Sequence, residues 1–403
     1  MSHLYDQSPL GKGFSGDLFG RLKVSQPFTI FDDSHRYSQN GNFDDVVIGT
    51  GSTVGFITAQ STATLGIGTT VGCSLIRESK KVFSYQPGKA LQVLQTFVLN
   101  PPKENLVQRV GYASSENGVL LELNGSQVNI VKRTHISGVT TSVTVPQSEW
   151  NVDTLDGTGP SGYTLDSTKA QILFSEYEWL GVGSVRVGFA IDGKFITAHQ
   201  FNHANLIDSV YMTSATLPVR YEILNTGNTS SPSEMKQICV SVQSNGGYEK
   251  LSERDVARRT TTVSVASTAF VPLVSIRLTP GREEAVILPK SFAFLGDSAS
   301  TALLEVVLIK NANINASTWS SINNSNAQVN TDATTITGGK IILNDFVSSA
   351  NKASVPVNIE EDYNWDLQLG RTQSKVSDVV TLAARAVSGS ANCIGSISFY
   401  DLT

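Results

Sequence analysis

This sequence is poor in charge and has no long apolar run. Only 16% of its 403 residues are charged, and 35 acidic against 30 basic side chains give a formal charge of -5. Non-specific nucleic-acid binding requires a basic surface, so we predict no nucleic-acid partner. No stretch approaches the ~20 apolar residues of a membrane-spanning helix, so we predict no membrane insertion.

Cysteine is also scarce. Cys73, Cys239 and Cys393 are far apart, odd in number and set in apolar, strand-like surroundings. This favours buried reduced thiols in a protein folded in a cytoplasm. The first residues lack a basic segment followed by an apolar run, so we expect no secretory signal. Abundant Ser, Thr, Asn and Gly are instead typical of extracellular or virion β-proteins.

Alternating apolar residues are the main feature of the middle of the chain. Every second residue from Val185 to Ile191 is apolar, which is typical of a strand packed on one side. Asp192-Gly193 suits the two positive-φ positions of a tight hairpin turn. We therefore predict an antiparallel meander of three strands at about 170–180, 184–191 and 194–200.

Short apolar segments recur along most of the sequence at intervals of roughly 10 to 15 residues, with Asn-Gly and Asp-Gly turns between them. No segment keeps a helical period. The pattern predicts an all-β fold of two antiparallel β-sandwich domains, lectin-like or jelly-roll in type. The predicted divisions are an irregular N-terminal arm at 1–44, a sandwich at 45–247, a linker at 248–261 and a second sandwich at 262–403.

The arm and the linker have distinct compositions. Four glycines between residues 11 and 20 disfavour a helix in the arm, which is either a linker or an assembly clamp. The segment 248–261 is the densest charged cluster, and we interpret it as a solvated linker; the alternative is one helical turn capped by Ser252 and Asp255. The predicted assembly residues of the arm are Phe19, Leu22, Phe28 and Phe31.

The glycine-rich segment VVIGTGSTVG at 46–55 only partly matches a dinucleotide-binding fingerprint. Val54 occupies the position of the third glycine, and the Thr- and Gly-rich residues that follow disfavour the required helix. We predict no cofactor. We also find no Ser-His-Asp order, nucleophile elbow, phosphate-binding loop or Cys-x-x-Cys pair.

Glu176 and Glu178 are the strongest candidates for catalysis. Two residues apart, they share one strand face, as do the acid and nucleophile of sandwich-fold glycosidases. The laminarinase-type pattern E-x-D-x-x-E matches only at Glu176, because Glu178 and Gly181 occupy its other two positions. We interpret the pair as a polar row and predict no catalytic residue, so the chain is predicted not to be an enzyme.

Two other patterns were considered as metal sites. His199 and His203 have the H-x-x-x-H spacing of zinc ligands, but they straddle the end of a strand rather than a helical turn. Asp153, Asp156 and Asp166 lie in a Gly-rich loop that could hold calcium or satisfy itself through local turns. We predict no metal.

Four tryptophans are scattered along the chain and are candidate stacking platforms for a glycan. Core or interface packing is the commoner use of tryptophan, so this interpretation competes with a structural one. The candidates are Trp150, Trp179, Trp319 and Trp365.

Several long segments together resemble a family of uncharacterised structural proteins of tailed phages, common among marine and cyanobacterial phages. The resemblance rests on EWLGVGSVRVGFAIDG in 178–193, on FGRLKVSQPFTIFDDSHRY near the start, on PVRYEI at 218–223 and on the closing SDVVTLAARAVSGSANCIGSISF. It implies a virion location and β-sandwich domains of lectin-like or jelly-roll type. It carries over no catalytic residue.

The leading hypothesis is therefore a structural component of a tailed-phage virion, made in the host cytoplasm. It would be a fibre, baseplate, neck or capsid-attached protein that contacts other virion proteins and forms a homo-oligomer. The alternative is a carbohydrate-binding adhesin that contacts host surface glycans on the same fold. A glycosidase that uses Glu176 and Glu178 is the third hypothesis.

Overall fold

The computed structural model describes residues 26–250, 254–266, 268–297, 301–315, 318–349, 355–359 and 365–403. Within these ranges the chain forms β-strands and no α-helix, with a short 3-10 turn at Gln147–Glu149. Every strand pair is antiparallel. The predicted all-β fold is confirmed.

The described residues of the first half, from residue 26 onward, form fifteen strands. They are β1 (Pro27–Ser34), β2 (Phe43–Ile48), β3 (Thr53–Ile57), β4 (Thr62–Ile67), β5 (Ser74–Ser79), β6 (Ala90–Val98), β7 (Leu106–Ala113), β8 (Gly118–Asn124), β9 (Gln127–Thr134), β10 (Thr141–Pro146), β11 (Gln171–Tyr177), β12 (Val185–Ile191), β13 (Lys194–Phe201), β14 (Val219–Asn225) and β15 (Ser233–Asn245).

The second half contains the remaining strands. They are β16 (Arg254–Val265), β17 (Val271–Leu278), β18 (Ile287–Asp297), β19 (Leu303–Lys310), β20 (Asn313–Ile314), β21 (Ser320–Ser321), β22 (Ala327–Asn330), β23 (Ile336–Thr337), β24 (Lys340–Ser348), β25 (Val355–Asn358), β26 (Val379–Ser388) and β27 (Ala391–Asp401).

Two sheets pack face to face in the first half. The eight-stranded sheet has the order β13-β12-β11-β6-β15-β4-β3, with β1 also paired to β15, and the seven-stranded sheet has the order β10-β9-β8-β7-β14-β5-β2. Residues of β6 alternate between buried and half-exposed along its whole length, because one face meets the opposite sheet. The core between the sheets includes Phe97, Tyr112, Tyr177, Phe189 and Tyr221.

The second half repeats this arrangement with different strands. A four-stranded sheet of order β16-β27-β18-β25 accompanies a six-stranded sheet of order β21-β22-β17-β26-β19-β24. Their apolar faces share a core that includes Phe292, Phe294, Leu382 and Phe399. β20 and β23 form a separate two-stranded ribbon.

The predicted meander is present as β11, β12 and β13, paired in chain order. Asp192 and Gly193 have φ of 50° and 74°, the two positive values that the hairpin turn requires. The first strand ends at Tyr177 rather than near residue 180, because the chain turns sharply over the next residues. Leu180 and Gly181 both have positive φ there.

Part of the predicted irregular arm is a strand. β1 pairs with β15 from Pro27↔Asn245 to Ser34↔Cys239. Phe31 is 5% exposed and packs against the rings of Phe43 and Phe83, so the prediction that it contacts another subunit is corrected. Phe28 is half-buried, and its role in assembly stays a prediction. Phe19 and Leu22 lie outside the described residues.

The predicted linker is also corrected in its second part. Arg254–Val265 forms β16, an edge strand paired with β27, rather than a solvated connection or a helical turn. The reason is that an edge strand pairs with a neighbour on one side only, and its other side and one of its faces are exposed to water. Charged residues such as Arg254 and Arg258 are tolerated there and discourage pairing with other sheets. Ser252 lies outside the described residues.

The two halves of the chain are also in contact through side chains and hydrogen bonds. Residues 365–373 lie against the first sandwich, where Gln368 Nε2 donates to the carbonyl of Val82 at 2.7 Å and Arg371 N donates to the carbonyl of Lys80 at 2.8 Å. The Trp365 side chain is buried in the first core together with Tyr400. The first sandwich is therefore closed partly by residues from the second half.

The described residues contain no helix long and apolar enough to cross a membrane. The three cysteines are free, with Cys73 and Cys393 buried and Cys239 half-buried. Burial raises the pKa of the Cys393 thiol to about 12, so this group stays protonated and inert at neutral pH.

Candidate functional site on the eight-stranded sheet

A row of polar side chains crosses the exposed face of the eight-stranded sheet. Glu176 of β11 lies directly opposite Arg186 of β12 and Gln92 of β6. The row continues to Gln200 of β13 and to Gln243 of β15. All five side chains are half-buried or exposed. We call these five residues the polar row.

The polar row combines charged and amide groups in reach of solvent. Arg186 Nη1 lies 3.6 Å from Glu176 Oε2, a loose ion pair whose arginine side chain is 56% exposed. Asn245 Nδ2 donates to Glu176 Oε1 at 3.5 Å. Such an exposed pair contributes at most about 1 kcal/mol to stability, so its groups are free to exchange partners with a ligand.

A pocket of about 340 Å³ opens beside Glu176 and Arg186, in the middle of the polar row. Two carboxyl groups line it, those of Glu176 and Glu178, together with the cations of Lys89 and Arg186. Hydrogen-bond acceptors and donors therefore face one space. We call it the Glu176 pocket; its lining residues are Tyr85, Gly88, Lys89, Ala90, Glu176, Glu178, Leu180, Ser184 and Arg186.

A tight turn sets the position of Glu178. The residue follows the end of β11, its backbone N–H donates to the Ser184 carbonyl at 3.0 Å, and Gly183 N donates to the Trp179 carbonyl at 2.7 Å. A Cβ atom at Gly183 would lie 1.7 Å from the Glu178 carbonyl oxygen, so only glycine fits. Ser184 N then donates to Glu178 Oε2 at 3.4 Å, which directs the carboxyl group.

Tyr85 forms the aromatic part of the pocket wall. Its ring is half-buried and meets Trp179 edge-on at 6.0 Å. Burial raises the pKa of Tyr85, and the negative charge of Glu178 raises it further. The phenol therefore stays protonated and can donate a hydrogen bond at neutral pH. Trp179 lies behind this ring and does not line the pocket.

The other predicted stacking residues are dispersed. Trp150 and Trp365 are each 4% exposed, so neither presents a ring face to a ligand, and the prediction of a glycan contact is corrected for both. Trp319 is half-buried in the second half, with the Arg277 guanidinium 4.3 Å above its ring. For Trp179 and Trp319 a role in ligand contact stays a prediction.

Hydrogen bonds occupy ring nitrogens of the two histidines that were considered as zinc ligands. His203 Nδ1 donates to the Gly183 carbonyl at 2.6 Å, and its Nε2 accepts from the Lys132 ammonium at 2.7 Å. His199 Nδ1 accepts from Asn151 N at 3.3 Å. His203 also stacks on Tyr211 at 4.0 Å between ring centroids, so these groups act as core packing beneath the turn that holds Glu178.

The acidic loop satisfies its carboxylates locally. Asp153 accepts from the backbone N–H groups of Leu155 and Ser161 at 2.9 and 2.8 Å. Hydrogen bonds from Thr158 and Thr154 lower the pKa of Asp156 to about 2. Among the described residues no group of His, Cys, Asp or Glu could hold a metal ion. The local turns, which were the alternative to calcium binding in the interpretation of the sequence, are thus present.

Sequence reasoning missed most of this site. Glu176 and Glu178 were singled out, but Gln92, Gln243, Lys89 and Tyr85 were not. The alternation of β6 could have placed Gln92 on the exposed face. No local signal could have placed β15 beside β6, because that pairing joins residues about 150 positions apart.

Known proteins resemble this chain in fold. No protein-family model and no curated protein matches it. Among solved structures, a Bacteroides ovatus mixed-linkage glucan GH16 protein in complex with a product is 9% identical with a TM-score of 0.36, covering 53% of this chain and 99% of its own. Peanut lectin is 12% identical with a TM-score of 0.32, covering 55% and 98%.

A third similar structure is the endo-β-1,4-glucuronan lyase of Trichoderma reesei, 14% identical with a TM-score of 0.34, covering 53% of this chain and 95% of its own. These likenesses concern the sandwich fold alone. The proteins that share this fold nevertheless include a glucuronan lyase and a GH16 protein in complex with a product. Because a glucuronan lyase and a GH16 protein are among the solved structures that resemble this chain, the prediction that the chain is not an enzyme is corrected.

Proposed function

We propose that this protein binds carbohydrate on the exposed face of its eight-stranded sheet. The polar row and the adjoining Glu176 pocket carry this proposal, because they place carboxylate, amide, guanidinium and ammonium groups on one open surface. Sugar hydroxyl groups both donate and accept hydrogen bonds, so they suit a mixed set of this kind. The Tyr85 ring offers an apolar face beside these groups.

The two side chains of the ion pair in the polar row form hydrogen bonds with the bound sugar. Glu176 accepts from ligand hydroxyl groups, and Arg186 donates to ring or hydroxyl oxygens. In the free protein these two side chains are joined only loosely, at 3.6 Å. Little is lost when each takes a ligand partner instead, since charge-assisted hydrogen bonds are roughly twice as strong as neutral ones.

Binding to mixed-linkage β-glucan, β-1,4-glucuronan and bacterial lipopolysaccharide tests the proposal. We expect Kd for the bound polymer to rise about tenfold or more in Glu176→Gln and Arg186→Gln, the effect of losing one charged hydrogen bond. Glu234→Gln is the matched control, because Glu234 is exposed on the same sheet outside the row. Absence of binding to all three polymers, or equal loss in the control, contradicts the proposal.

Glycan cleavage is the second candidate function. The observation that favours it is that Glu176 and Glu178 line one pocket. One carboxylic acid would protonate the glycosidic oxygen while the other carboxylate activates the attacking water or attacks the sugar itself. Release of oligosaccharides from the same polymers, lost in Glu178→Gln while binding remains, would support cleavage. Unchanged polymer after long incubation would reject it.

The setting that we propose for this binding is a phage virion. The exterior-type composition and the resemblance to tailed-phage structural proteins support it, and host surface glycans would then be the ligands. Other virion proteins and further copies of the chain would be its partners. Mass spectrometry of purified particles is the test, and absence of the protein from intact virions would contradict this setting.

A further inference from the structure

A second pocket adjoins the Glu176 pocket along the boundary between the two halves. Its volume is about 280 Å³, and we call it the Glu249 pocket. Tyr85 and Lys89 line both pockets, so one side chain pair forms the wall between them. The far side is built by Tyr248, Glu249 and Leu402. The second pocket thus includes residues that follow β15 and a residue near the end of the second half.

The wall between the pockets is held in place by a reciprocal clamp. Glu249 N donates to Gln86 Oε1 at 3.0 Å, and Gln86 Nε2 donates back to the Glu249 carbonyl. Lys89 Nζ also donates to Gln86 Oε1 at 3.0 Å. Gly88 supports the turn with φ of 84°, where no other atom limits the space. Three groups therefore depend on one amide, which holds Glu249 beside Lys89.

Lys89 is placed to serve both pockets. An ammonium group has three donors, and the hydrogen bond to Gln86 uses one of them. The Glu176 pocket provides two carboxylates on one side, and Glu249 is exposed on the other. The lining of the pair combines charged and amide side chains with the rings of Tyr85 and Tyr248, and this mixture suits a sugar, which has polar hydroxyl groups and apolar ring faces.

We propose that the two pockets form one groove that binds a linear oligosaccharide longer than a disaccharide, with Lys89 contacting its middle. This inference rests on the proposed carbohydrate binding and adds the substrate class, an extended chain rather than a single terminal sugar. The Glu176 pocket holds one end and the Glu249 pocket the other.

Affinity as a function of chain length tests the groove. The probes are disaccharides and octasaccharides cut from mixed-linkage β-glucan and from β-1,4-glucuronan, measured by titration calorimetry on the full chain. We expect the octasaccharide to bind about tenfold or more tightly than the disaccharide, because it gains contacts in the second pocket. Glu176→Gln should weaken both lengths.

The variant Glu249→Gln tests the contribution of the second pocket separately from that of the first. It should weaken the octasaccharide several-fold, leave the disaccharide unchanged and leave the melting temperature unchanged, since the clamp uses only the Glu249 backbone. Glu149→Gln, an exposed residue outside both pockets, should change neither length.

Equal affinity for both lengths, or equal effects of Glu249→Gln on both, would overturn the groove while leaving carbohydrate binding intact. Failure of every length to bind would overturn both proposals. Tighter binding of an unstructured polar peptide than of any oligosaccharide would assign the groove to a protein partner and overturn the inference.

Discussion

At the scale of single residues, a cluster of charged side chains lies on the outer face of the seven-stranded sheet. Glu222 is 4% exposed and receives three guanidinium groups: Arg220 Nε at 2.5 Å, Arg109 Nη1 at 2.8 Å and Arg133 Nη1 at 3.5 Å. Burial alone would raise the pKa of Glu222, but these three cations lower it to about 2. The carboxylate is thus stabilised only in its ionised form.

Because of Glu222, we expect the folded chain to lose stability in acid. Its pKa is about 2 in the folded chain against 4.5 unfolded, so its contribution is present above pH 4.5 and disappears as the pH falls to about 2. The size is roughly 3 kcal/mol in the free energy of unfolding. Urea unfolding at a series of pH values measures it.

The variant Glu222→Gln provides the control for the acid effect. It should remove this part of the pH dependence and lower stability at neutral pH by about 3–5 kcal/mol, because one buried and two partly buried guanidinium groups each lose a carboxylate partner. An unchanged acid slope in the variant would show that other carboxylates are responsible.

His203 predicts a second pH dependence nearer neutrality. Burial and the charge of Lys132 lower its pKa from 6.5, so the folded chain holds this ring neutral. As the pH falls below 6.5 the unfolded chain takes up the proton first, and stability decreases. The variant His203→Phe keeps the stack on Tyr211 and should remove this dependence. A thermal-shift series at mildly acidic pH compares the two proteins, and parallel curves would contradict the assignment.

At the scale of elements, the β11–β12 hairpin links the core to the site. Its meander register places Glu176 opposite Arg186, and its turn places Glu178 at the pocket. The same turn receives the hydrogen bond from His203 and packs Gly181 against Val210. A short connection thus fixes two carboxyl groups because several parts of the first sandwich hold it.

Gly183 is the residue on which this turn depends. In Gly183→Ala the new methyl group would meet the Glu178 carbonyl, so the turn must open at a cost of about 2 kcal/mol or more. We expect a lower melting temperature and weaker glycan binding, since the turn that carries Leu180 and Ser184 of the pocket wall moves. Gly41→Ala is the matched control, because nothing lies within 4 Å of the added atom. Equal behaviour of the two variants would contradict this account.

At the scale of the whole molecule, an ion pair and buried rings join the two halves. Arg371 Nη1 lies 2.5 Å from Glu78 Oε1, and both side chains are nearly inaccessible to water. Trp365 packs against Tyr248 at 4.7 Å and Phe28 at 6.3 Å between ring centroids. A boundary that is buried to this degree favours cooperative unfolding of both halves.

Removing Arg371 should uncouple the halves. We expect Arg371→Ala to destabilise the chain by about 3–5 kcal/mol, because Glu78 loses a buried partner, and to split one calorimetric transition into two. Arg385→Ala is the control, since its pair with Glu305 at 2.6 Å lies within the second half and is partly exposed. A single sharp transition in Arg371→Ala would mean that other contacts maintain the coupling.

The strands and turns of this protein follow from its sequence because their causes are local. Alternation along Val185–Ile191 and the Asp192-Gly193 turn predict the meander with its hairpin, and the earlier turn of the meander places Glu176 opposite Arg186. The Thr- and Gly-rich residues that follow the glycine-rich turn likewise disfavoured a nucleotide-binding helix, and β3 and β4 occupy that segment.

Only the tertiary structure decided which distant strands became neighbours. Gln92 and Gln243 complete the polar row because β15 pairs with β6, and Trp365 is buried because residues 365–373 pack on the first sandwich. Strand pairing across a hundred or more residues depends on the shape of the whole core and on loop closure, neither of which is written in any short segment. The alternating pattern determined what each strand exposes, and the packing determined what those exposed side chains meet.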